Sequence, residues 1–213
     1  MIIICVFTDL FLSMALIMEK EEFDLLTLPP RNHKKDHLIN FRIYGQAYLF
    51  VGTMETIAAH AMFFLYMWRH AGIPVHELFF IFEGYSEGFH GYTNDQLVHF
   101  NTVGQSVYFV TLVIMQWGNL LSIRNKRMSI FQADPIRKER RNPWLLGGIL
   151  ASFVIAIFVT MEPGIQSIFG TGTVPLEFWL IPLPLALGVL VADELRKLVV
   201  RRWPDGIVAR VAW

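Results

Sequence analysis

Long apolar runs alternate with short polar segments along this chain. Five runs, 1–18, 44–68, 102–123, 144–162 and 175–195, approach or exceed the length of about 20 residues that spans the hydrocarbon core of a bilayer as a helix. The pattern predicts an all-α membrane protein, a bundle of about five transmembrane helices, with 1–213 forming one domain and no second, soluble domain. Between the first two runs lies a polar segment, 19–43, bent by Pro29-Pro30. The second run opens on Tyr44-Gly45-Gln46 and closes near Tyr66 and Trp68, aromatics suited to a membrane interface. Segment 70–100 is rich in glycine and aromatic residues, and its Phe79-Phe80-Ile81-Phe82 run suits an interfacial loop. Pro163-Gly164 and a Gly/Thr turn join the last two runs into a hairpin. Pro182 and Pro184 must distort the fifth run, because each lacks an N–H and crowds the preceding turn.

The polar residues inside these runs are the candidates for chemistry, because polar groups in a bilayer are expensive. Asp9 sits in the first run with Thr8 beside it and Cys5 and Ser13 four residues to either side, one helical stripe. A carboxylate with hydroxyls on an inward stripe suits a hard, partly dehydrated cation; the alternative is pairing with a polar group on a neighbouring helix. In the third run Asn101, Gln105, Tyr108, Gln116 and Asn119 fall within about 80° on a helical wheel. Such a stripe packs on other polar groups or lines a watery path, with Gln116 and Asn119 the better ligand candidates. Glu55, near the centre of the second run, is a candidate buried carboxylate with an ion- or proton-linked role or a structural pairing. His60 reads as a packing residue, and His76, His90 and His99 have no metal-ligand spacing.

Charge turns this pattern into a topology. All 18 Lys and Arg except Arg69 fall in three blocks, 20–42, 124–141 and 196–210, while 70–100 and 163–177 contain none. Lys and Arg collect in short cytoplasmic loops, so the C-terminus is expected in the cytoplasm and, with five spans, the N-terminus outside. Hydrophobic residues make up 54% and charged residues 17%, below the quarter usual for soluble domains. The basic blocks suit an anionic membrane surface; nothing suggests nucleic-acid binding, and no nucleotide-binding fingerprint appears. A single cysteine, Cys5, excludes an internal disulfide. The first run lacks the basic start of a signal peptide, so the expectation is a chain that begins inside a larger architecture.

Several stretches, in order, resemble the C-terminal membrane half of type II P-type cation pumps, nearest to Na+/K+- and H+/K+-ATPase α-subunits. They are Thr8-Asp9; Pro30-Arg31-Asn32 with Lys35-Asp36-His37-Leu38-Ile39-Asn40; Tyr44-Gly45-Gln46; Phe109-Val110-Thr111 with Gln116-Trp117; and Ser129-Ile130-Phe131-Gln132. Pro163-Gly164, Asp193-Glu194-Leu195-Arg196-Lys197-Leu198 and Arg201-Arg202-Trp203-Pro204-Asp205-Gly206 complete the series. The resemblance implies that the five runs are helices six to ten, and that Asp9 and Thr8, with Gln116 and Asn119, are ligands of the transported cation. It also implies a monovalent cation (Na+, K+ or H+), a plasma-membrane location, and membrane lipids and the remaining helices and cytoplasmic domains of the pump as partners.

The chain departs from the family pattern at several positions. Cys5 stands where the family has Asp or Asn, Leu12 where it has Pro, and Asn119 where it has an acid; a ninth-helix glutamate falls near Ser152. The segment that contacts a β-subunit is replaced near Glu87-Gly88-Phe89-His90, which puts a β partner in doubt. The Asp-Lys-Thr-Gly-Thr, Thr-Gly-Glu and Gly-Asp-Gly motifs of the ATP-driven engine are absent, so no cofactor is expected in this chain, and ATP and Mg2+ are implied only for a full-length pump. Two readings follow. One is the transport-domain part of a cation pump, not catalytically competent alone. The other is a stand-alone membrane protein that binds lipid or modulates a pump. Lys126-Arg127-Met128-Ser129 resembles a basophilic kinase site, making Ser129 a candidate phosphorylation site beside the plain reading of a basic interfacial loop.

Overall fold

The computed structural model describes residues 8–20, 39–125, 128–130, 142–206 and 208, and of Phe82 only the backbone. Cys5, the Pro29-Pro30 bend and most of the second basic block lie outside the described residues. Those that are described form an all-α bundle with no strand. Four helices are long and apolar enough to cross a membrane: α2 (Phe41–Ala71), α4 (Asn94–Ile123), α5 (Pro143–Met161) and α7 (Glu177–Arg202). Of the first run the structure describes helix α1, Asp9–Ile17. The short helices α3 (Val75–Leu78) and α6 (Pro163–Phe169) lie in the connections.

Local chemistry sets the helix ends. Asn40 caps α2 by accepting the N–H of Ile43 at 3.0 Å. Gly72, at φ 64°, closes α2 in the left-handed conformation that glycine adopts without strain, and Pro74 follows two residues later. Within α2 the stretch Gly45–Gly52 is a π-helix, and Thr53 Oγ1 donates to the carbonyl of Tyr48 at 3.2 Å. A capping box of Thr93 and Gln96 starts α4. Proline opens both α5 and α6 at a position where no N–H is needed. In α7 the regular helix is interrupted at Ile181, immediately before Pro182, as the missing N–H groups of Pro182 and Pro184 require.

Helix α4 is the centre of the bundle. Its Val103, Val107, Val110, Val113 and Ile114 pack with Met62, Tyr66 and Met67 of α2 and Phe178, Ala186 and Val189 of α7. Without a hydrophobic driving force in lipid, close packing of small residues holds helices together. Two glycines let one helix backbone lie directly against another. A Cβ on Gly118 would stand 2.4 Å from the carbonyl oxygen of Ala186, so α4 and α7 cross backbone against backbone. A Cβ on Gly148 would meet Phe11 O at 3.0 Å, where α5 lies along α1. Trp117 of α4 donates its indole N–H to Ser152 of α5 at 2.8 Å.

The two ends of the bundle differ in charge. At the basic end the Glu19 carboxylate accepts from Arg124 Nε at 3.0 Å and from Asn142 Nδ2 at 2.9 Å, and Asn142 Nδ2 also donates to Ala15 O at 3.0 Å. Beside it Lys197, 2% exposed, donates to Ser122 O at 2.7 Å and pairs with Asp193 at 2.9 Å, while Arg196 holds the other oxygen of Asp193 at 2.7 Å. At the opposite end Arg69 and His70 share Glu177, at 2.7 and 2.8 Å. The one cation outside the three basic blocks is thus matched by a carboxylate at the start of α7.

Candidate cation site

Contacts within the bundle fix the levels of the membrane-embedded polar residues. Helices α1 and α4 run parallel: both end at the Glu19–Arg124 pair, and Leu12 packs with Leu120. One turn back from Leu12 and Leu120 stand Asp9 and Gln116, so the two lie at about the same depth. Helix α2 runs antiparallel to α4. The His60 ring meets the Tyr108 ring edge-on at 5.1 Å, and Gly104 lies under Phe63 and Tyr66. Five residues on from that pair, Glu55 comes level with Val113, within about one turn of Gln116. Asp9 and Glu55 thus both lie within about one turn of the level of Gln116.

The side chains gathered at this depth offer oxygen. Gln116 Oε1, Asn119 Oδ1 and Glu55 Oε1 are each enclosed and have no hydrogen-bond partner among the described residues. Thr8 is fully buried and Asp9 is half-buried beside it. Enclosed acceptors without donors are uncommon, because desolvating such a group without a replacement bond is costly. Carboxylate, amide and hydroxyl oxygens are the donor set that hard cations take. Of the α4 stripe, Gln105 is exposed and Asn101 and Tyr108 are half-buried, nearer the opposite end of the helix.

The other sequence candidates fall elsewhere. Ser129 is 8% exposed, and the next residue, Ile130, donates its N–H to Glu194 Oε1 at 3.0 Å, so the candidate phosphorylation site is tucked against α7. His60 Nδ1 lies 2.8 Å from the Thr56 carbonyl, a local helical contact. His90, in the turn that holds Glu87-Gly88-Phe89, lies 2.5 Å from Glu77. Phe79 and Phe80 are exposed, at the end of the bundle opposite the basic blocks. Ser152, near the position where the resemblance expects a glutamate, is fully buried and holds the Trp117 indole. Ser13, on the Asp9 stripe, is exposed.

Sequence reasoning missed the buried polar junction at the basic end. Lys197 and Arg124 look like ordinary members of solvated basic blocks. The signal that could have found Lys197 is its i, i+4 spacing from Asp193 at the end of an apolar helix.

The family model described as cation transporting ATPase, C-terminus, matches residues 1–199 of this chain. The chain belongs to this family. Among curated proteins it is 30% identical over 214 residues to the sodium/potassium-transporting ATPase subunit alpha-4 of Homo sapiens, a match that covers 95% of this chain and 20% of the relative. The chain therefore spans about a fifth of that relative's length. With its four long apolar helices, this cation-ATPase C-terminal region is a multi-pass membrane protein.

Proposed function

We propose that this cation-ATPase C-terminal region forms one wall of the ion path of a monovalent-cation pump in the plasma membrane. Asp9, Thr8, Gln116 and Asn119 contribute oxygen ligands to the carried ion, which is Na+, K+ or H+. The enclosed, unpartnered oxygens of Gln116 and Asn119, at the depth of Asp9, carry this reading. A positive ion satisfies several acceptors at once, which no polar side chain described in this chain does for them. Helices and cytoplasmic domains beyond this sequence complete the path and use ATP and Mg2+, and lipid surrounds the bundle. The Lys/Arg-rich end faces the cytoplasm and the opposite end, where Arg69 is the one cation outside the basic blocks, faces outward. The name of the relative, a sodium/potassium pump subunit, favours Na+ and K+ over other ions.

Asp9→Asn tests the reading. In the intact polypeptide that carries this region, reconstituted in liposomes, the substitution keeps the size of the side chain and removes its charge. The half-saturating cation concentration for ATPase stimulation is expected to rise by about tenfold or more, the equivalent of about 1.4 kcal/mol. An unchanged cation dependence removes Asp9 from the site.

A further inference from the structure

Glu55 is partly buried on the core-facing side of α2. Helix α2 turns Val51, Ala58, Met62 and Tyr66 into the bundle, and Glu55 lies on that same stripe, at the spacing of three to four residues that keeps side chains on one face. Every other member of the stripe packs into the hydrophobic core. Glu55 Oε1 is enclosed there, and no described residue donates a hydrogen bond to it. The salt bridges among the described residues lie toward the two ends of the bundle, and none includes Asp9 or Glu55.

Three enclosed acceptors, Glu55 Oε1, Gln116 Oε1 and Asn119 Oδ1, thus share one region of the bundle, and none has a donor among the described residues. Two like charges in a water-poor site repel strongly unless a positive charge lies between them. The π-helical stretch Gly45–Gly52 ends just before Glu55, and such widened turns accompany functional sites in helices.

We propose that Glu55 is itself a ligand of the carried cation, so that α2 supplies a carboxylate opposite Asp9 and α4 supplies amide oxygens between them. This rests on the reading of Asp9 and Gln116 as cation ligands. It adds a third helix to the site and a second carboxylate, and it makes α2 part of the ion path as well as of the scaffold. The ligand class is a monovalent cation held by two carboxylates and neutral oxygens.

The test uses the intact polypeptide in liposomes, with Glu55→Gln and Asp9→Asn compared under titration with Na+ and, separately, K+. Glu55→Gln keeps the shape and removes the charge. It is expected to raise the half-saturating concentration of at least one of the two ions by about tenfold, with thermal unfolding in cation-free buffer unchanged or shifted upward. Unfolding is read because a purely structural carboxylate would lower stability and leave cation affinity alone; that outcome overturns the proposal. A weakened Asp9→Asn beside an unaltered Glu55→Gln also overturns it, while the reading of Asp9 stands. If neither substitution changes the titration, both readings fall. Where Glu55→Gln does not accumulate, Glu55→Asp withdraws the charge by one methylene; weakening of about threefold or more supports the proposal, and an unchanged titration overturns it.

Discussion

The basic end of the bundle and its polar middle both hold carboxylates and side-chain amides but resolve them in opposite ways. At the basic end Glu19 is held by Arg124 and Asn142, and Asp193 by Arg196 and Lys197, with contacts of 3.0 Å or less. These side chains tie α1, α4, α5 and α7 together at one level. In the middle, Glu55, Gln116 and Asn119 each leave an enclosed oxygen without a donor or a cation among the described residues; at the basic end Asn142 Oδ1 and Asp193 Oδ2 also lack a hydrogen-bond donor, but Asp193 is ion-paired with Lys197 at 2.9 Å. A buried ion pair compensates itself and persists whatever else is bound, whereas an orphaned acceptor set is unfavourable until something positive arrives. The first arrangement therefore fits a structural clamp and the second a binding site.

If that contrast holds, breaking the clamp costs stability and leaves ion affinity alone. Lys197→Met removes a 2%-exposed ammonium from between Asp193 and the Ser122 carbonyl. It is expected to destabilise the membrane domain by about 3–5 kcal/mol, because one oxygen of Asp193 is left buried beside no cation. Chemical unfolding in mixed micelles measures this, and the half-saturating cation concentration of the surviving folded fraction stays at its original value.

A smaller effect sharpens the comparison from the packing side. Gly118→Leu places side-chain atoms where the Ala186 backbone already lies. Overpacking of this kind is expected to cost about 1–3 kcal/mol. Because Gly118 adjoins Asn119, displacement of α4 from α7 also moves a proposed ligand, so stability and cation affinity are expected to fall together. Unfolding and cation titration of the same preparation check both.

The helical bundle was legible in the hydropathy pattern, because a bilayer demands long apolar runs. Four of the five expected runs appear as long helices, and of the first the structure describes the part from Asp9 to Ile17. The boundaries moved where local chemistry overrode hydropathy. Helix α4 begins at Asn94, ahead of the apolar run, because the Thr93–Gln96 capping box starts it in polar sequence. Helix α7 continues to Arg202 because Asp193, Arg196 and Lys197 pair along it. The π-helical stretch of α2 had no readable signal. For the site, helical periodicity marked Asp9, Gln116, Asn119 and Glu55, since a polar residue on an apolar helix stands out. Their shared depth was not readable, because it depends on how three helices slide past one another. That register is set by contacts such as Leu12 with Leu120 and His60 with Tyr108.

The most direct measurement separates binding from structure at a single residue. Gln116→Leu replaces the amide by an apolar group of nearly the same shape. Because the Gln116 oxygen has no partner among the described residues, its removal is expected to leave cation-free stability within about 0.5 kcal/mol or to raise it. The same substitution is expected to raise the half-saturating cation concentration by about tenfold. Loss of stability with unaltered cation dependence would contradict the account, because it would make the polar middle a structural clamp like the basic end.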